Sequence, residues 1–211
     1  MRKENSSMGK TQNEKLAARK EKVDKQVAEM KAQGYALTDL SVDGNKANVM
    51  SILTGFLPAV ILLLLFAVIH GWEKFREFDF SPVMFCFMLS VIVHEGIHGL
   101  FFGIFAKNHF KAIEFGVFWK SLNPYCNCSD PVKKGQYLTA LLMPGIILGC
   151  CTAVFAFVTG NINVMVFSAL NLFTAGGDFF IAYLILKSPK KGKDEWYMDH
   201  PTKPGVLVLA K

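Results

Sequence analysis

Hydrophobic and polar positions are sharply segregated along this chain. Lys46 and Glu73 enclose 26 uncharged residues, and residues 135–177 form a 43-residue stretch without a single charge. A run of more than about 18 apolar residues is long enough to cross a bilayer as a helix. The pattern predicts four spans, over residues 49–69, 83–106, 138–158 and 164–186. Pro58 is expected to kink the first. Pro144-Gly145 lies inside the third, and Thr159-Gly160-Asn161 makes a tight turn before the fourth.

The remaining segments are polar. In residues 1–48, Leu16, Val23, Val27 and Met30 fall on one thin helical stripe, with Gly34 as a stop signal. This predicts a helix resting on the membrane surface or on the protein's own cytosolic face; a solvated, partly disordered tail is the alternative. In the loop between spans two and three, residues 110–119 are rich in β-branched and aromatic side chains and end before the turn signal Asn123-Pro124. A second extended piece over residues 125–130 is expected to pair with them. The chain therefore divides into a charged N-terminal region (1–48), a membrane-embedded domain (49–187) and a basic C-terminal tail (188–211). The fold class is an all-α membrane protein with about four transmembrane helices and a small β-hairpin between helices two and three.

Composition agrees. Of 211 residues 52% are hydrophobic, 19 are Phe and only 19% are charged, so a soluble nucleic-acid binder, a disordered chain and a disulfide scaffold are poor descriptions. The net charge of +6 is a matter of orientation. Of 23 Lys and Arg residues, 21 lie in the N-terminal region, the middle loop and the C-terminal segment from Lys187 onward, which places both termini and that loop in the cytosol of a multi-pass cell-membrane protein. Five cysteines with no framework spacing suit a reducing compartment. No signal peptide is expected, because the first apolar segment comes late and is too long.

The chemistry lies in span two, as His94-Glu95-Gly96-Ile97-His98. Positions i and i+4 share one helix face, one turn apart, so both imidazoles can reach one Zn²⁺. Glu95 projects beside them, placed to take a proton from an attacking water. A charged side chain at mid-span costs about 2.5 to 3.5 kcal/mol on insertion scales, so such residues face the protein interior and are usually functional. The bland alternative is a polar cluster that hydrogen-bonds helices together.

A catalytic zinc needs a third protein ligand. Asp178, the only charged residue between Lys134 and Lys187, is the best candidate. At 1.5 Å per residue, His94 lies about 17 Å into span two and Asp178 about 21 Å into span four, which runs in the same direction. His109, Cys126, Cys128 and His200 are rival ligands in loops or the tail. Gly99 and Gly103 form a small-xxx-small pair that would let another helix approach span two. Gly176-Gly177 would bring the backbone near the metal or substrate. Asn171, two turns before Asp178, is a candidate oxyanion donor, with helix packing as the alternative.

The His94-Glu95-Gly96-Ile97-His98-Gly99 motif, the segment from Asn171 to Gly176-Gly177-Asp178, and the Asp199-His200-Pro201-Thr202 stretch together resemble the putative zincin peptidase family of small membrane proteins, over residues 80–208. More distantly the chain resembles site-2 proteases. That resemblance implies an intramembrane zinc site cutting substrate helices near the cytosolic side, with His94, His98 and Asp178 as ligands and Glu95 as catalytic acid/base. The expected partners are a membrane protein or peptide substrate and the lipid bilayer, with no nucleic acid; residues 110–119 would clamp an unwound substrate strand by edge pairing. A non-catalytic metal or proton transporter or sensor, and an inactive membrane scaffold, are the alternative functions.

Overall fold

The computed structural model describes residues 2–118, 123–190 and 192–211. The N-terminal stripe forms helix α1 (Arg2–Ala32), ended by Gly34 at φ +91°. Three helical rods are long and apolar enough to cross a membrane. They are α2 (Gly44–His70), α3 (Phe80–Phe105) and the rod Lys134–Thr159. The last is built from α4 (Lys134–Pro144), a π-helical stretch (Gly145–Cys151) and α5 (Thr152–Thr159). Local signals set the boundaries. Asp43 and Asp79 accept backbone N–H groups at the starts of α2 and α3, and Gly71 at φ +89° ends α2. Pro58 sits inside α2 without ending it.

The expected fourth span is broken. It consists of α6 (Ile162–Thr174) and α7 (Gly176–Lys187), bent by 48°, so the membrane helices number four when the bent pair counts as one span. The break is where α2 crosses. A Cβ on Gly176 would stand 2.0 Å from the Ser51 carbonyl oxygen, and one on Gly55 would stand 2.1 Å from that of Phe173. The Thr54 hydroxyl donates to the Gly176 carbonyl at 2.6 Å, satisfying a backbone acceptor at the bend. Gly176 thus permits close approach of helix α2 rather than of a metal or substrate, while its neighbour Gly177 borders the cavity beside Asp178.

Strand β1 is Ala36–Asp39. The expected hairpin is present as β2 (Ile113–Phe118) and β3 (Asn123–Cys128), in antiparallel register with Ile113 opposite Cys128. Asn123 and Pro124 begin the second strand instead of forming the turn; Trp119 lies outside the described residues. The hairpin runs back along α3. The Phe115 ring covers Gly99, and the Phe110 ring covers Gly103. The small-xxx-small pair therefore receives aromatic rings from β2 and the turn before it, not a neighbouring helix.

The tails are more ordered than their polarity suggests. Strands β4 (Val132–Lys133), β5 (Glu195–Asp199) and β6 (Val206–Ala210) join β1 in an antiparallel sheet of order β1-β6-β5-β4. Every residue of β6 is buried, because the sheet is covered on both faces. Val206, Val208 and Tyr197 pack against Phe102, Tyr137, Leu141 and Ile185 of the membrane helices. Leu207, Leu209 and Met198 pack against Val23 and Val27 of α1. Helix α1 rests on the protein's own sheet, and the sheet rests on the ends of the membrane helices.

Candidate metal centre

Helix α3 places His94 and His98 on one buried face, and α7 brings Asp178 to meet them. His94 Nε2 lies 3.1 Å from Asp178 Oδ2, and His98 Nε2 lies 3.4 Å from Asp178 Oδ1. One ligand atom from each of the three lies within 4.8 Å of the others, the only such group among the described residues.

The His98 ring is oriented by its other nitrogen, since Nδ1 lies 2.9 Å from the Ala140 carbonyl oxygen. A carbonyl only accepts, so Nδ1 carries the hydrogen. The Ala140 carbonyl is available because residue 144, its normal helical partner four positions on, is a proline without an N–H. The Pro144 noted in the sequence thus has a specific consequence: it frees the acceptor that fixes a ligand's tautomer. His94 Nδ1 is buried and has no hydrogen-bond partner among the described residues.

This donor set suits a metal such as zinc. With Nδ1 protonated, a neutral His98 turns the Nε2 lone pair toward a carboxylate oxygen, which is also an acceptor. Two acceptors facing each other require a positive charge between them, either a proton or a cation shared by all three ligands. Two imidazoles and a carboxylate are a three-ligand set that leaves a fourth position for water or substrate, and the ligands open onto a cavity of about 330 Å³.

Glu95 lines the same cavity, and the backbone amide of Cys126 faces its carboxylate. Strand β3 forms one wall and the Asp199–Gly205 loop another. The hairpin edge toward the centre is therefore that of β3, not of the expected clamp, β2. Asp199 is anchored by the Cys128 N–H at 2.7 Å and by the Tyr137 hydroxyl. Burial raises its carboxyl above the ordinary value, against the downward pull of those hydrogen bonds and of the nearby Arg19 guanidinium. Arg19 reaches the rim from α1, held by both Glu114 oxygens, at 3.1 and 2.7 Å, and by the Tyr125 hydroxyl at 2.6 Å.

None of the rival ligands joins the three-residue group, although Cys126 and His200 border the same cavity. His200 Nδ1 accepts the N–H groups of Thr202 and Lys203, and its Nε2 faces Asp39 at 3.8 Å. Cys126 lines the cavity, but burial pushes its thiol well up, and Cys128 is buried in the core with its thiol pushed up to about 12. His109 turns back to the Gly103 carbonyl. Asn171 is buried, accepts from the Ser90 hydroxyl at 2.9 Å and donates to the Phe167 carbonyl at 2.9 Å. It ties α6 to α3, because the bend before Asp178 ends the shared helix face that placed it near the centre.

Several neighbours escaped the sequence reading. The Ala140 carbonyl leaves no sequence signal beyond Pro144 itself. Asp199 belongs to the tail motif, although nothing there shows which way it points. Arg19 was legible in principle, as a cation on the same helical stripe as Leu16 and Val23.

A family model described as putative zincin peptidase matches residues 87–192, half of the chain, taking in most of α3, all of α4 to α7, and His94, Glu95, His98 and Asp178. No curated protein and no solved structure is similar.

Proposed function

The chain belongs to the putative zincin peptidase family, and from that membership we propose that it is an integral membrane zinc metalloprotease, hydrolysing peptide bonds in or beside the cytosolic half of the bilayer. The observation that carries this reading is the convergence of His94, His98 and Asp178 on one point, with Glu95 on the same cavity. His94, His98 and Asp178 would hold the metal. Bound zinc supplies Lewis-acid polarisation of the scissile carbonyl and of water.

The protein's own residues do the rest. Glu95 takes a proton from the attacking water as its oxygen bonds to the carbonyl carbon. As the C–N bond breaks, Glu95 passes that proton to the leaving amine. The Ala140 carbonyl holds His98 in one tautomer throughout. Asp199 anchors the loop that closes the cavity over the ligands, through Cys128 and Tyr137. The membrane helices keep bulk water out on the other sides.

Topology supports the placement. The sheet, α1 and the basic segments all lie at one end of the membrane helices, and positive charge favours the cytosolic side. The candidate centre lies nearer that end, with His98 about 10 Å from the end of α3 by helical rise. The test is cleavage of membrane-protein substrates by purified full-length protein in detergent or liposomes. The zinc-loaded protein is expected to cleave, and Glu95→Gln is expected to keep its zinc and lose cleavage by a factor of about 10² to 10⁴. Full activity in Glu95→Gln removes Glu95 from the mechanism; zinc flux into liposomes without cleavage favours a transporter.

A further inference from the structure

Strand β3 forms the cavity wall opposite the ligands, and the hydrogen-bond donors on its outward edge are already engaged. The Cys126 N–H faces Glu95, and the Cys128 N–H donates to Asp199. In an antiparallel ribbon each residue's N–H and C=O point the same way, alternating along the strand. Residues 126 and 128 thus point toward the centre, while 125 and 127 turn their main chain to β2. A peptide entering the cavity cannot draw on those two donors, so a donor for its carbonyls has to come from a side chain.

One side chain is free to do this. Asn127 is only 6% exposed, and its Oδ1 is buried with no hydrogen-bond partner among the described residues. It borders both the cavity of the metal centre and a second cavity of about 340 Å³ beneath α1. A buried amide oxygen without a partner destabilises the fold that holds it, and such groups in native proteins call for an explanation. Packing does not supply one, since a leucine of similar shape would fill the space without the penalty.

We propose that Asn127 binds the main chain of the substrate peptide, its Oδ1 accepting one backbone N–H and its Nδ2 donating to a backbone carbonyl as the chain passes Glu95 toward the cavity beneath α1. The inference rests on the peptidase reading for the identity of the ligand. Recognition of this kind is blind to side chains, so Asn127 orients extended chain of any sequence.

The experiment uses full-length, zinc-loaded Glu95→Gln protein in detergent and a fluorescein-labelled Leu-Ala-Leu-Ala-Leu-Ala peptide, read by fluorescence anisotropy. Five further peptides carry an N-methyl group on each internal amide in turn. One N-methyl peptide is expected to bind about tenfold more weakly than the parent. With Asn127→Leu added, the parent peptide loses about the same factor, and that N-methyl group costs nothing more. The melting temperature of Asn127→Leu is expected to equal or exceed that of the Asn127 protein, because an unpaired buried carbonyl oxygen has been removed. Undiminished binding by Asn127→Leu, retained sensitivity to the N-methyl group, a lowered melting temperature, or no binding by the Asn127 protein each overturns the proposal. Binding without cleavage by the Glu95 protein rejects the peptidase reading and leaves Asn127 in place; cleavage unaffected by Asn127→Leu rejects Asn127 alone.

Discussion

His98 donates through Nδ1 to the carbonyl oxygen of Ala140 at 2.9 Å, and Ala140 is free to accept because Pro144 has no N–H to offer it. A helix-breaking residue in a membrane span thereby orients a candidate metal ligand on a neighbouring helix. Outer partners of this kind typically change metal affinity by about 10- to 100-fold.

Pro144→Ala restores an N–H that competes for the Ala140 carbonyl. Zinc affinity is expected to fall by about tenfold, while thermal stability without metal stays the same or rises, because a proline has left a helix interior. Competition with a fluorescent zinc chelator measures the first quantity, and differential scanning fluorimetry with chelator present measures the second. Unchanged zinc affinity in Pro144→Ala would show that the helical competitor does not disturb His98.

Two glycines near the ligands should respond oppositely to alanine. A methyl group on Gly176 meets backbone of α2 at 2.0 Å, which no side-chain rotation relieves. Gly176→Ala is therefore expected to push α7 away from α2, displace Asp178 two residues on, and lower both zinc content and melting temperature. A Cβ on Gly96, between the two histidines, meets nothing within 4 Å. Gly96→Ala is expected to be neutral or to stabilise α3 by up to about 1 kcal/mol. Zinc analysis and thermal melts of the two variants side by side check the contrast.

The sheet carries its own pH dependence. Asp194 accepts hydrogen bonds from Tyr35 and Trp196 and pairs with Lys133, and these partners, led by Lys133, hold its carboxyl down at about 2. A carboxyl whose folded value is depressed adds stability above its unfolded value near 4 and loses that stability as the pH falls toward 2. Docking of the tails, followed by tryptophan fluorescence, is expected to weaken between about pH 4 and pH 2, and this acid transition should be smaller in Asp194→Asn. An identical acid transition in both proteins would exclude Asp194 as its source.

The membrane helices and the candidate ligands were legible in the sequence for one reason: in an apolar segment every ionisable residue stands out. Asp178 is the only charge in a run of 52 residues, and His94 and His98 have the helical spacing that one cation requires. The soluble layer was not legible. Ala36 pairs with Ala210 across almost the whole chain, and no local pattern announces such a partner. The run from Val206 to Ala210 is continuously apolar because both faces of the strand are covered, but within a basic tail it is too short to read as an element of its own. Glycines signalled close approach at Gly99, Gly103 and Gly176 without naming what approaches: two aromatic rings and the backbone of α2. The bend before Asp178 was hidden because its cause, the crossing at Ser51 and Gly55, lies more than a hundred residues earlier.

The most direct test of the proposed centre is the zinc content of purified full-length protein, measured by plasma mass spectrometry for the parent, Glu95→Gln and Asp178→Ala. One zinc per chain is expected in the parent and in Glu95→Gln, with a loss of most of it in Asp178→Ala. One zinc per chain retained by Asp178→Ala, or no zinc in the parent, would contradict coordination by His94, His98 and Asp178.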